Sequence, residues 1–170
     1  YAIVLGTLEN EYQRPIDEIF EHIDTTPLGS ASLAQVHRAT LKTGEDVAVK
    51  VQRPGVRETM AQDVSIMRSL AKGATKIMHS SQVVDFRGVV EELWETFDEE
   101  TNFLNEARNL AEFKRFCSHY AYMDCPTPFT DLCTEHVLVM QYIDGIPISH
   151  TRELIDDGYS LNEIGTKLVD

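Results

Sequence analysis

Two stretches between residues 33 and 51 alternate apolar with polar positions. Leu33, Val36 and Ala39 are interleaved with Gln35, His37 and Arg38, and Val47-Ala48-Val49-Lys50-Val51 is a β-branched run with one charge inside it. This period of two predicts a pair of half-buried strands, and Lys42-Thr-Gly-Glu45 supplies the hairpin turn between them. After Pro54-Gly55 the period changes. Met60, Val64, Met67, Ala71, Ala74 and Met78 recur in steps of four and three, which predicts a long amphipathic helix whose methionines fill core gaps. The stripe Val90, Leu93, Phe97, Leu104, Ala107 and Ala111 predicts a second long helix from Val89 to near Phe116. Pro126-Thr-Pro128 ends that pattern, and Glu135 to Gly145 (EHVLVMQYIDG) reads as a buried strand ending in a turn. At the amino terminus Ile3, Leu8, Ile16, Ile19 and Phe20 fall at helical intervals around Pro15, which predicts two short helices. Beyond Pro147 come a short helix, a break at Gly158, and a further helix capped by Ser160 with Glu163 three places on.

Three side chains do not fit the pattern they sit in. Lys50 is flanked by valines in a strand, where an ammonium is costly unless a phosphate, a carboxylate or both meet it. Glu100 falls on the apolar stripe of the second long helix, which implies a buried partner or a raised pKa. Glu106 lies among Phe103, Leu110 and Phe113 on an adjoining apolar row. Upstream of Lys50, residues Gly29, Ser30, Ala31 and Ser32 are small enough for backbone N–H groups to approach phosphate oxygens. Small residues alone are also consistent with a tight entry into a strand. With Lys50 on the returning strand, they suggest a loop that holds a nucleotide phosphate tail.

Composition narrows the field. The 170 residues are 42% hydrophobic and carry a net charge of −13, enough apolar material for one ordinary core. The charge opposes binding to nucleic acid or to an anionic membrane surface. No apolar run approaches the roughly 18 residues of a membrane span, and the first residues do not form a signal peptide. The chain opens at Tyr1, which suggests a piece of a longer protein. Cys117, Cys125 and Cys133 are spaced by eight and fit neither a zinc knuckle nor a paired disulfide framework, so free thiols in a reducing compartment are expected. The histidines at 22, 37, 79, 119, 136 and 150 form no His-x-x-His or HExxH arrangement. His37 reads as a hydrogen-bonded structural group. Nucleophile elbows are absent.

Val47-Ala-Val-Lys50 resembles the third-strand motif of protein kinases, and PLGSASLAQVH followed by VAVKVQRPGV resembles the UbiB-type, aarF-domain atypical kinases, in which an alanine-rich loop replaces the glycine-rich one. The resemblance runs from about Arg14 to the end of the chain. It implies an α+β fold, a kinase-like amino-terminal lobe with a small antiparallel sheet and expanded long helices. Residues 1–23 would be a helical lead-in, 24–145 the lobe with inserted helices and hinge, and 146–170 the start of the second lobe. It further implies that Lys50 binds the α and β phosphates of ATP or ADP and pairs with Glu106, since Glu100-Thr-Asn-Phe-Leu-Asn-Glu106-Ala-Arg-Asn matches the family's ELDF and EA-N motifs. Val36 and Ala48 would belong to the nucleotide-binding set, Met140 would be the gatekeeper, and Gln141, Tyr142 and Ile143 the hinge. Glu100 and Asn102 belong to the family motif, with Glu100 facing a lysine-glycine-glutamine segment that lies before Tyr1.

The chain departs from that pattern in several places. Gly29 and Ser30 stand where alanine is common, Gln141 where Glu is common, and Asn102 where Asp is usual. Loss of the upstream segment predicts local instability around Glu100. Asp63 is the rival partner for Lys50 under ordinary kinase spacing, and Glu100 remains a second one. Neither the catalytic-loop aspartate and asparagine nor the DFG aspartate occurs before Asp170, so the ligands for Mg2+ would lie outside this stretch, which alone should be inactive. The resemblance implies a parent kinase or ATPase acting in isoprenoid-quinone biosynthesis or lipid homeostasis. Its partners would be an adenine nucleotide and an isoprenoid lipid or quinone-biosynthesis proteins. It would be cytoplasmic or membrane-peripheral in bacteria, mitochondrial or plastid in eukaryotes. The alternatives are a non-catalytic module that docks a partner or lipid, and a fragment of an ordinary Ser/Thr kinase.

Overall fold

The computed structural model describes residues 1–77 and 86–169, with the side chains of 73–77 left aside. Met78 and His79, and the side chain of Ala74, lie outside the described residues. The elements are α1 (Ala2–Tyr12), β1 (Phe20–Ile23), β2 (Gly29–Ser30), β3 (Ala34–Leu41), β4 (Asp46–Gln52), α2 (Val56–Ile77), α3 (Phe86–Thr101), α4 (Phe103–Cys117), β5 (Val137–Gln141), α5 (Thr151–Asp156) and α6 (Leu161–Val169), with short 3-10 turns at Ile16–Glu18 and Thr130–Leu132. The sheet is antiparallel throughout, ordered β1-β3-β4-β5, and β2 continues the β1 edge along β3. The mixed fold is the α+β arrangement read from the sequence.

The edge strand is interrupted at Asp24 to Leu28, where Pro27 has no N–H to donate. Gly44 takes φ 99° in the β3–β4 turn, a left-handed conformation open to glycine at little cost. Alternation along β4 gives the sheet two different faces. Val47, Val49 and Val51 point into one core with Val4 and Leu8 of α1, Ala39, Leu41, Val137 and Val139. On the opposite face α4 lays Phe103 and Ala107 against Ala34 and Leu138.

Two expectations need correction. The segment after Pro15 is a 3-10 turn followed by β1, and not a second helix. A register shift between Phe20 and His22 is a bulge, which puts an extra residue into the strand. Phe20 and Ile23 therefore both face the core at a spacing of three, which imitates a helical period. The second long helix is in fact two. Asn102 has extended backbone (φ −93°, ψ 99°), and its side chain accepts the Leu104 N–H at 3.0 Å, so it caps α4 and ends α3. The apolar stripe is broken with it, since Leu93 and Leu104 are exposed.

Other readings hold. α2 buries Val64 and Ala71, and Ser160 Oγ accepts the Glu163 N–H at 3.3 Å ahead of α6. All three cysteines are free. His37 is 1% exposed and its Nδ1 lies 2.8 Å from the Asp24 carbonyl oxygen, the proton on Nδ1 being assigned from that contact.

Candidate functional site

Lys50 sits in β4 directly opposite Val36 of β3 and Leu138 of β5. Directly opposed residues share a face, so Lys50, Val36, Ala48 and Met140 all lie on the α4 side of the sheet. Its ammonium meets Glu106, 56 residues away on the first turn of α4, with Nζ 2.6 Å from Oε2. It also lies 4.6 Å from the centroid of the Phe103 ring, close enough for a cation–π contact. The side chains are 26% and 38% exposed, so the pair is half-buried and contributes on the order of 1 kcal/mol to stability. Asp63 is exposed on α2, and Glu100 is exposed at the end of α3.

Several bonds aim α4 at Lys50. Phe103 donates its N–H to the Glu135 carbonyl at 3.0 Å. Gln52, on the same face of β4 as Lys50, donates to the Thr101 carbonyl at 2.8 Å, and Asn105 donates to the Glu99 carbonyl at 3.3 Å. The α3–α4 junction is thereby held against the strand that carries the lysine. A polar cavity of about 490 Å³ opens there, lined by Lys50, Glu99, Glu100, Asn102, Asn105, Glu106, Arg108 and Asn109. The buried position expected for Glu100 is therefore corrected. The stripe that placed it inside does not survive the break at Asn102, and its carboxylate borders an open, solvated cavity, so the expected local instability loses its basis.

The remaining candidates lie apart from this cavity. Gly29 and Ser30 form β2, paired with Val36 and Gln35, and are exposed. Ala31 and Ser32 make the turn into β3, with the Ala31 N–H bonded to the Ala34 carbonyl at 2.9 Å. Gly29 avoids the left-handed region and a Cβ there would meet nothing within 4 Å, so the loop does not depend on glycine. Along the other end of the face, Ala48 pairs with Met140. Gln141 donates its N–H to the Thr127 carbonyl (2.8 Å) and Tyr142 to the Asp46 carbonyl (3.0 Å), whereas the Ile143 amide donates to no described residue. Arg38 braces this end. It lies 4.4 Å from the Tyr142 ring centroid and 2.6 Å from Asp46, and its guanidinium, with the Thr40 hydroxyl, holds the Asp46 carboxyl below the usual carboxylate range.

One residue was not singled out from the sequence. Arg53, just past β4, donates from Nε to the Ala31 carbonyl at 3.0 Å and from Nη2 to Ser30 Oγ at 2.8 Å. Nothing in its spacing sets it apart from any other arginine before a proline.

The ABC1 atypical kinase-like domain matches residues 3–170. The chain belongs to that family. A probable protein kinase UbiB from Pseudomonas putida is 37% identical over 152 residues, 89% of this chain and 28% of its own length. AarF domain-containing protein kinase 1 from Xenopus laevis is 33% identical over 168 residues, 99% of this chain and 32% of its own. The solved structure of the Rv3197–erythromycin complex from Mycobacterium tuberculosis superimposes with a TM-score of 0.73 at 31% identity, over 89% of this chain and 40% of that one. The chain thus spans about 30% of the length of these curated relatives. The ABC1 match and these relatives bear out the resemblance to UbiB and aarF-domain kinases over most of the chain. Among the described residues, no helix is long and apolar enough to cross a membrane.

Proposed function

We propose that residues 24–145 form the nucleotide-binding lobe of an ATP-dependent atypical kinase or ATPase, preceded by a lead-in over 1–23 and followed by the opening of a second lobe at 146–170. The Lys50–Glu106 contact carries this reading. A partly exposed ammonium held by one carboxylate keeps donors for phosphate oxygens, and Glu106 orients it from a helix whose start is held by the Phe103–Glu135 backbone bond and by the Gln52 and Asn105 side chains at the junction. In this reading Lys50 binds the α and β phosphates, Gly29 to Ser32 cover them, and Val36, Ala48 and Met140 form the apolar floor under adenine. Gln141, Tyr142 and Ile143 are the hinge, where the undonated Ile143 N–H supports an adenine contact. Magnesium would neutralise phosphate charge, with ligands from the remainder of the parent protein. By analogy with relatives named UbiB, the parent acts in isoprenoid-quinone biosynthesis or lipid homeostasis, with a lipid or a quinone-biosynthesis protein as partner, at the membrane periphery or in the cytoplasm of bacteria or in a eukaryotic organelle.

A docking module is the second reading, favoured by the exposed apolar side chains Ile66 and Leu70 of α2 and Phe86 and Leu93 of α3. Thermal unfolding of the full-length protein with and without MgATP or MgADP separates the two. At a hundredfold excess of nucleotide over Kd the wild type should gain about 2.7 kcal/mol, and Lys50→Met should lose most of it. Equal protection of both proteins, or of neither, would refute nucleotide binding through Lys50 and leave docking as the function.

A further inference from the structure

We infer that Arg53 is a positioning residue for the phosphate-covering loop, a role that rests on the nucleotide reading above and adds a determinant to it. The segment from Gly29 to Leu33 has no left-handed residue and is tied to β3 on one side by the β2 pairing and the Ala31–Ala34 bond, so its exposed turn depends on what holds it from the other side. Three bonds do so from the end of β4. The Arg53 N–H donates to the Leu33 carbonyl at 2.8 Å, Nε to the Ala31 carbonyl at 3.0 Å, and Nη2 to Ser30 Oγ at 2.8 Å. The guanidinium makes no ion pair among the described residues. Its planar fork engages two neutral acceptors at once, from Nε and from Nη2, a spread that the compact ammonium of a lysine does not reproduce. Lys50 lies three places earlier on the same chain. In the nucleotide reading the two basic residues serve one phosphate site in different ways: Lys50 by donating from the sheet face, and Arg53 by holding the loop that covers the phosphates. A clamp of this kind raises affinity by removing the cost of ordering the loop at the moment of binding.

The test uses the full-length protein, with MgATP and MgADP as probes, and measures affinity by calorimetry and loop mobility by amide hydrogen exchange over residues 28–34. Arg53→Ala should speed exchange in that segment of the nucleotide-free protein and weaken nucleotide binding by about tenfold. Ser30→Ala, which retains the positive charge and removes one prong, should shift both in the same direction by a smaller factor. Arg53→Lys should fail to restore wild-type affinity. Unchanged exchange in Arg53→Ala would overturn the clamp, and full rescue by lysine would reduce the residue to a simple charge. If the wild type itself binds neither nucleotide, the underlying reading falls and this inference with it; if the wild type binds and loses binding in Lys50→Met while Arg53→Ala binds normally, only the clamp is refuted.

Discussion

Asn102 shows how one side chain can settle two questions. Its carbonyl oxygen caps α4 at the Leu104 N–H, so the same residue ends one helix, starts the next, and turns Glu106 toward Lys50. Asparagine and aspartate are nearly equivalent caps. The usual aspartate of the motif would thus keep the geometry while adding a charge beside a helix N-terminus, where it is favourable. Asn102→Ala should lower stability by about 1 kcal/mol in denaturant unfolding and Asn102→Asp should lie within a few tenths of wild type. An alanine variant as stable as wild type would mean that the cap is unimportant to the junction. The pairing of Lys50 with Glu106 was suggested by motif, since nothing in local periodicity connects residues 56 apart. Arg53 was illegible because its partners are a backbone carbonyl and a serine whose proximity only the folded hairpin creates.

At the scale of elements, the strands were the most legible part of the chain. β3, β4 and β5 alternate or run apolar, and the pattern placed them correctly. β1 was hidden because its bulge imitates a helical spacing. The α3–α4 break was hidden because the apolar rhythm continues across a cap. The long α2–α3 pair is held by side chains that periodicity does not reveal. Arg68 donates to both oxygens of Glu91, at 2.9 and 2.6 Å, and Arg57 reaches Asp98 at 2.5 Å. Arg68 also stands 6.0 Å from the Trp94 ring centroid. Arg68→Met, which keeps the aliphatic stem, should lower stability slightly, measured as a shift of the urea midpoint to lower concentration at unchanged m. No shift would assign the α2–α3 contact to apolar packing alone.

For the whole molecule, burial pushes the Cys125 and Cys133 thiols up, with nearby Cys117 adding to the effect at Cys125. Unfolded thiols ionise near pH 8.5. The folded chain therefore holds more protons than the unfolded one above that pH, and stability should fall as pH rises through the folded-state values. Denaturant midpoints should be level from pH 6 to 8 and decline beyond about 8.5; replacing both cysteines by alanine should flatten the decline, and an unaltered slope would assign it to other groups. Residues 1–170 purified alone should hydrolyse no ATP, because phosphoryl transfer needs the catalytic-loop and DFG residues as well as a lysine. Measurable hydrolysis that disappears in Lys50→Ala would show that the stretch is catalytically complete.

β4 has an unusual position in this scheme. Within four consecutive residues, Lys50, Gln52 and Arg53 reach α4, the end of α3 and the small-residue turn. Sliding the strand by one place would exchange its two faces, sending the ammonium toward the valine side and uncoupling all three neighbours together. The correct threading of this one ribbon is thus a single decision for the folding chain, and a chain that misplaces it forfeits the lysine, the junction and the lip at one stroke.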